Sequence, residues 1–351
     1  MKNLCRLIAL TVFAVTAMTV SAQPASKTAT ASKTATESKA WKQPKTPWGD
    51  PDLQGVWPST SMIHTPMERD PKLGTRAVLN DEEVAKKMEQ NKFFNRLETG
   101  NPNGVVPLAA GWFDSGKPNR QASLVVEPPD GRIPTLTAEA QSREAARKKH
   151  WNEKKDSPDT WLDLTTWDRC ITLGPIGSVA PFAYNNGQQI VQGPGYVVFR
   201  NEMIHEARVI PLDGRPHASP EIRTWMGDPR GHWEGNTLVV ETTNFNGQTF
   251  IGSQGGGFGD SGAVATDHLR LVERFTRVDE DTINYEVTID DPYTWTKPWK
   301  IAMPLRHEAD YDYLYEYSCH EGNIFMHDAL AGARADEKKA AEAAAQKGVN
   351  R

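Results

Sequence analysis

The sequence predicts a mainly β fold, an antiparallel meander closing into a barrel or sandwich, with helices added near the N-terminus and one at the C-terminus. Three observations predict it. Between Gln188 and Phe245, short β-branched and aromatic runs alternate with turn signals at Gly193-Pro194-Gly195, Asp213-Gly214 and Glu234-Gly235-Asn236. That is the spacing of hairpins, not of βαβ crossovers. Residues 268–278 and 282–289 alternate apolar and polar side chains across a Val278-Asp279-Glu280-Asp281 turn. The run DYDYLYEYSCHEGN at 310–323 places Tyr313, Tyr315, Tyr317 and Cys319 on one face of an expected strand, with Leu314, Glu316, Ser318 and His320 on the other.

The chain opens with Lys2 and Arg6, an apolar run from Leu7 to Val20 and the small-residue site Val20-Ser21-Ala22. This reads as a signal peptide over 1–22, cut after Ala22, because the run is shorter than the ~20 residues of a membrane span. The mature protein is then expected to be periplasmic or secreted. Residues 23–46 repeat Ser, Thr, Ala and Lys with no aromatic before Trp41 and are expected to be a disordered tether. A single β-rich domain with helical insertions follows over 47–330. Its Gly55-Val56-Trp57 resembles the opening strand of lipocalin-type barrels, which makes a calycin-like barrel one form of the predicted fold.

Asn80 with Glu83 makes a capping box for a helix over Asp81–Asn95. Ala122 to Val126 reads as a strand, and Thr137 caps a second helix through residue 152. Residues 156–187 read as irregular and carry Trp161, Trp167, Asp168, Arg169, Tyr184 and Asn185, a loop that either caps one end of the barrel or serves a site. The glycine-rich 252–262 lacks the Lys-Ser/Thr ending of a phosphate loop and reads as a flap. Residues 331–351 are Ala/Lys/Glu-rich and are expected to form a solvated helix.

Net charge is -5 with the cations scattered, which points away from nucleic acid and anionic membranes. The expected partner is a small molecule, and the sequence leaves the oligomeric state open. Eleven tryptophans exceed the needs of one core, so some are expected to line a groove. Cys170 and Cys319 remain after export and are expected to pair, closing a loop of 149 positions (319 less 170). Two buried thiols, or Cys319 and His320 as metal ligands, are the competing readings.

The blocks EMIHEARVIPLDGRPH (202–217), MGDPRGHWEGNTLVVETTNF (226–245) and YEYSCHEGN (315–323) resemble a large family of secreted bacterial proteins usually left as hypothetical. The resemblance covers most of the mature chain. It implies that the three blocks belong to one fold and carries no activity with it.

None of His205, His217, His232 and His320 stands in an H-E-x-x-H or H-x-H arrangement, and no Gly-x-Ser-x-Gly elbow occurs. No metal and no cofactor are therefore expected. General acid–base chemistry remains, with His205, His232, His320, Glu241 and Glu273 as catalytic candidates. Glu273 is singled out because it interrupts the apolar face of Leu269, Leu271 and Phe275, where a carboxylate must be paired, raised in pKa or facing a polar cavity. Arg208 or Arg230 would hold a carboxylate or steady an oxyanion. Tyr184, Asn185, Trp225, Trp233, Trp295 and Tyr317 are the candidate ligand contacts. A strand over Met203–Ile210 would set His205, Ala207 and Val209 on one face and Glu206 and Arg208 on the other. Asp228-Pro229 reads as a turn that an Asp228–Arg230 pair would lock.

The expected function is an exported lyase, isomerase or decarboxylase acting on a small carbohydrate or aromatic compound. A lipocalin-like binding protein, or an envelope protein using its aromatics against a partner, fits the same residues.

Overall fold

The turn residues set the hairpins. Gly195 (φ +82°) and Gly235 (φ +61°) take left-handed backbone, so Pro194-Gly195 and Gly235-Asn236 each close a two-residue turn, with Gly193 opposite Tyr196 and Glu234 opposite Thr237. The computed structural model describes residues 41–97, 116–182, 184–252, 262–309 and 311–349. The expected signal peptide, most of the tether and most of the expected flap lie outside these residues.

In chain order the strands are β1 Gly55–Val56, β2 Val125–Glu127, β3 Gln188–Gly193, β4 Tyr196–Asn201, β5 Ala207–Pro211 and β6 Asp228–Glu234. There follow β7 Thr237–Thr243, β8 Phe250–Gly252, β9 Gly262–Val264, β10 Arg270–Arg277, β11 Thr282–Asp290 and β12 Trp299–Arg306. The helices are α1 Asp81–Leu97, α2 Ala138–Lys154, the one-turn α3 Gly174–Gly177 and α4 Phe325–Val349. A six-stranded sheet runs β2-β12-β11-β10-β7-β6, a four-stranded sheet β1-β3-β4-β5, and β8 pairs with β9. Every ladder is antiparallel.

Period-two patterning fills the space between the sheets. Leu271 and Phe275 of β10, and Ile283, Tyr285, Val287 and Ile289 of β11, are fully buried. They join Ile190, Phe199 and Ile210 of the smaller sheet in one core, each such side chain worth ~1.5–3 kcal/mol of burial. Phe199 meets Phe275 with ring centroids 4.5 Å apart. At one margin, a Cβ on Gly231 of β6 would lie 2.8 Å from Ile210 and 2.6 Å from Leu212, so only glycine lets the end of β5 come so close. At the other margin, the Arg306 N–H at the end of β12 donates to Pro58 O at 3.0 Å.

Helix starts follow their caps. Glu83 N–H donates to Asn80 Oδ1 at 2.9 Å and Asn80 N–H to Glu83 Oε2 at 2.8 Å. Arg76 clasps the same carboxylate and, with the Asn80 N–H, pulls the Glu83 pKa down to about 2. Asn80→Ala is expected to cost about 1 kcal/mol, read as a lower urea midpoint at unchanged slope. Thr137 Oγ1 accepts from Ala140 N at 3.1 Å and starts α2.

Three expectations need correction. The strand over Met203–Ile210 begins only at Ala207, because Ile204 takes φ +61° and kinks the Met203–His205 turn out of extended backbone. Residues 311–323 form no strand, since local turns such as Cys319 N–H to Tyr317 O replace a ladder. Asp228-Pro229 lies inside β6, an edge strand where a missing N–H is tolerated; its Asp228–Arg230 pair does form. β12 runs through Pro304. Pro304 is accommodated because it lies between Ala302, whose N–H meets Leu124 O, and Arg306, whose N–H meets Pro58 O. The missing donor falls in the gap between those two partners.

Candidate functional site

Among the described residues, five non-glycine positions have left-handed backbone: His64, Cys170, Asn185, Ile204 and Asn244. Three of them surround one aromatic cluster. Ile204, buried with Leu173 and Met203, packs against Trp167, Phe182, Tyr184 and Tyr317. Asn185 follows Tyr184 in the chain, and Cys170 follows Trp167 by three positions. Such conformations cost of order 1–3 kcal/mol each, and a β-branched residue such as Ile204 bears more than most.

The cluster is tied down by polar contacts. Trp167 Nε1 donates to the Tyr317 hydroxyl at 3.2 Å, Phe182 meets Trp167 edge-on at 5.5 Å, and Tyr184 meets Phe182 at 5.0 Å. Burial, and then the nearby Tyr317, push the Tyr184 phenol up to about 12, so it is a neutral donor at physiological pH. The Cys170–Cys319 disulfide, Cα atoms 5.8 Å apart, joins the 156–187 loop to the segment before α4.

A groove of about 350 Å³ opens beside this bridge. Trp167, Tyr317 and Phe325 supply its aromatic walls, Asp168 and Asn323 its polar groups, and both half-cystines line it. Asp168 Oδ2 accepts from Thr165 N–H at 3.1 Å and from its hydroxyl at 2.7 Å. Asn323 Nδ2 donates to Asp168 O at 2.9 Å and to Cys170 Sγ at 3.2 Å.

Two carboxylates bracket the 203–205 turn. Buried Glu202 accepts from Gly187 N–H at 3.1 Å, Tyr315 N–H at 3.0 Å and the Tyr311 hydroxyl, and so pins the 311–315 segment. Glu206 accepts from Ser178 Oγ at 3.2 Å and from Leu173 N–H at 3.4 Å. Burial raises its pKa despite those bonds and the nearby Arg208 charge.

The expected site residues divide. Tyr184 and Tyr317 come together in the aromatic cluster, Asn185 follows Tyr184 in the chain, and His205 ends the turn that Ile204 kinks. His320 follows Cys319 there and is exposed. The remainder lie elsewhere. His232 stands on β6 with its side chain 60% exposed and Nε2 3.3 Å from Glu234. Glu241 of β7 pairs with Arg270, and Arg230 with Asp228. Trp225 is half-buried, Trp233 packs against the main core, and Trp295 is buried 5.5 Å from Trp299. Arg208 and Glu273 face each other inside the core, their side chains 2% and 0% exposed. Tyr285 adds its hydroxyl to Glu273 at 3.1 Å.

Sequence reasoning passed over Asp168, Asn323, Phe325 and Glu206 as site residues. The available signal was adjacency: Asp168 and Asn323 flank the two cysteines. It also passed over His217, whose Nδ1 lies 3.1 Å from Asp228 Oδ2 and whose Nε2 lies 3.6 Å from Glu241. Among the described residues no three His, Cys, Asp or Glu side chains are grouped to hold a metal ion.

The chain matches no protein-family model, no curated protein and no solved structure.

Proposed function

We propose that this is an exported protein of calycin-like build that binds a small carbohydrate or aromatic compound in the groove beside the Cys170–Cys319 bridge. The observation that carries the reading is the groove itself: three aromatic walls, a carboxylate and a carboxamide around a space in the size range of small-ligand sites. Indole and phenol faces stack on a sugar ring or an arene. Asp168 binds its neighbours through Oδ2, which leaves Oδ1 to accept from a ligand hydroxyl.

A panel of sugars and plant phenolics, screened by thermal shift and tryptophan fluorescence, tests this. One compound class is expected to bind, and Trp167→Ala to weaken it about tenfold or more. Binding that survives Trp167→Ala unchanged, or a panel with no hit, would count against the groove.

A second reading, acid–base turnover, is favoured by Glu206, which accepts a hydrogen bond from Leu173 of the aromatic cluster and is not among the residues lining the groove. Burial raises the Glu206 carboxyl above its ordinary value, and Glu206 directly follows His205, a pairing that proton transfer could use. The sign of its effect on stability is defined. The folded-state pKa is raised, so the contribution is full below the ordinary carboxylate range and is lost as pH rises through the raised value. Glu206→Gln is expected to flatten that loss in melts taken as pH rises above the ordinary carboxylate range. If it also abolishes turnover while leaving binding intact, the acid–base reading holds; equal turnover in both proteins would end it.

A further inference from the structure

We propose that the Cys170–Cys319 bridge is a thiol-exchange site, open through the groove to a small thiol carrying an aromatic ring. This goes beyond the ligand reading above and rests on the sulfur geometry.

The two half-cystines are unequal. Cys170 is buried at 5% exposure, while Cys319 is half-buried at the groove. Both half-cystines line the groove, and attack is assigned to the more exposed residue, Cys319. The other sulfur stands between a carbonyl, Cys319 O at 2.9 Å, and a donor. Asn323 Nδ2 lies 3.2 Å from Cys170 Sγ, and its second donor bond, to Asp168 O, fixes the amide in place. A donor held there stabilises a thiolate on Cys170. Cys170 also sits at φ +54°, a conformation that an L residue adopts at a cost.

The thiolate RS⁻ bonds to Cys319 Sγ, the Cys319–Cys170 sulfur bond breaks, and its electron pair leaves on Cys170 Sγ, where Asn323 donates. The products are a mixed disulfide RS–S–Cys319 and a Cys170 thiolate, which takes up the proton that RSH released. A second RSH then frees Cys319 as a thiol and departs as RSSR, so two thiols supply the two electrons. Trp167, Tyr317 and Phe325 line the approach and favour R groups with an aromatic face.

The test uses the full folded chain with 4-methoxybenzyl thiol and with 2-mercaptoethanol, quenched by N-ethylmaleimide and mapped by peptide mass. The thiol is expected on Cys319 and the maleimide on Cys170. The benzylic thiol is expected to react about tenfold faster, the effect of burying part of its ring, with Phe325→Ala reducing that preference. Asn323→Asp, which replaces the donor by a negative charge, is expected to slow both thiols about tenfold. Thiol found on Cys170, equal rates for the two thiols in the wild-type chain, or exchange no faster than global unfolding would each overturn the proposal. Failure of the sugar and phenolic panel leaves these outcomes unaffected, because the readout is covalent mass.

Discussion

Glu273→Gln is expected to cost about 3–5 kcal/mol of stability, because it strands a buried guanidinium without its counter-charge. Arg208 on β5 donates Nη1 to Glu273 Oε2 at 2.6 Å and Nη2 to Oε1 at 3.0 Å, while Tyr285 donates to Oε1 at 3.1 Å. Burial alone would depress the guanidinium, but the Glu273 charge and its hydrogen bonds hold it above its ordinary value. The Tyr285 phenol is pushed well up, by burial first and by Glu273 second. Arg208 Nε makes no hydrogen bond among the described residues, so the guanidinium's side-chain hydrogen bonds there all go to one carboxylate. The triple change Arg208→Met, Glu273→Leu, Tyr285→Phe removes every member of the set and is expected to recover most of the loss. Urea midpoints of the single and triple variants check both statements. A Glu273→Gln cost below about 1 kcal/mol would show that the charge finds water or another partner.

The paired change Cys170→Ser, Cys319→Ser is expected to cost roughly 4–5 kcal/mol through the chain entropy of a 149-residue loop. The loss should be uneven across the molecule. The bridge ties the 156–187 loop to the segment before α4, whereas the main core is built from strands that lie between or beyond its ends. Hydrogen exchange is therefore expected to accelerate first around Trp167 and Tyr317, with the amides of β10 and β11 still protected. Uniform acceleration would mean that the two regions unfold as one. A variant losing less than about 1 kcal/mol would place the cross-link in a denatured state already compact there.

These two effects also mark where reading the sequence stopped. Glu273 was conspicuous because it broke an apolar alternation, and the structure places it on that face. Its partner was not legible: Arg208 lies 65 positions away and in the other sheet, and nothing in either local pattern specifies how the sheets superimpose. The disulfide was legible from cysteine arithmetic alone. The groove beside it was not, since it needs Trp167, Tyr317 and Phe325 to meet across about 150 residues.

What the sequence determined by itself is local and periodic. The capping box at Asn80 and Glu83, the Thr137 cap, the Pro194-Gly195 and Gly235-Asn236 hairpins and the β10–β11 alternation are all set by interactions within a few residues or by period-two burial. Tertiary structure decided the rest. Ile204 takes a left-handed backbone that no propensity favours, within a buried cluster with Leu173 and Met203 that Trp167, Tyr184 and Tyr317 pack against, and that one dihedral removes His205 from the strand expected to carry it. The tyrosine-rich run at 311–323 has a strand's alternation but gains its hydrogen bonds from Glu202 and from its own turns. Burial energy summed over the assembled site outweighs the local preference of any single residue, and that sum exists only once distant segments have met.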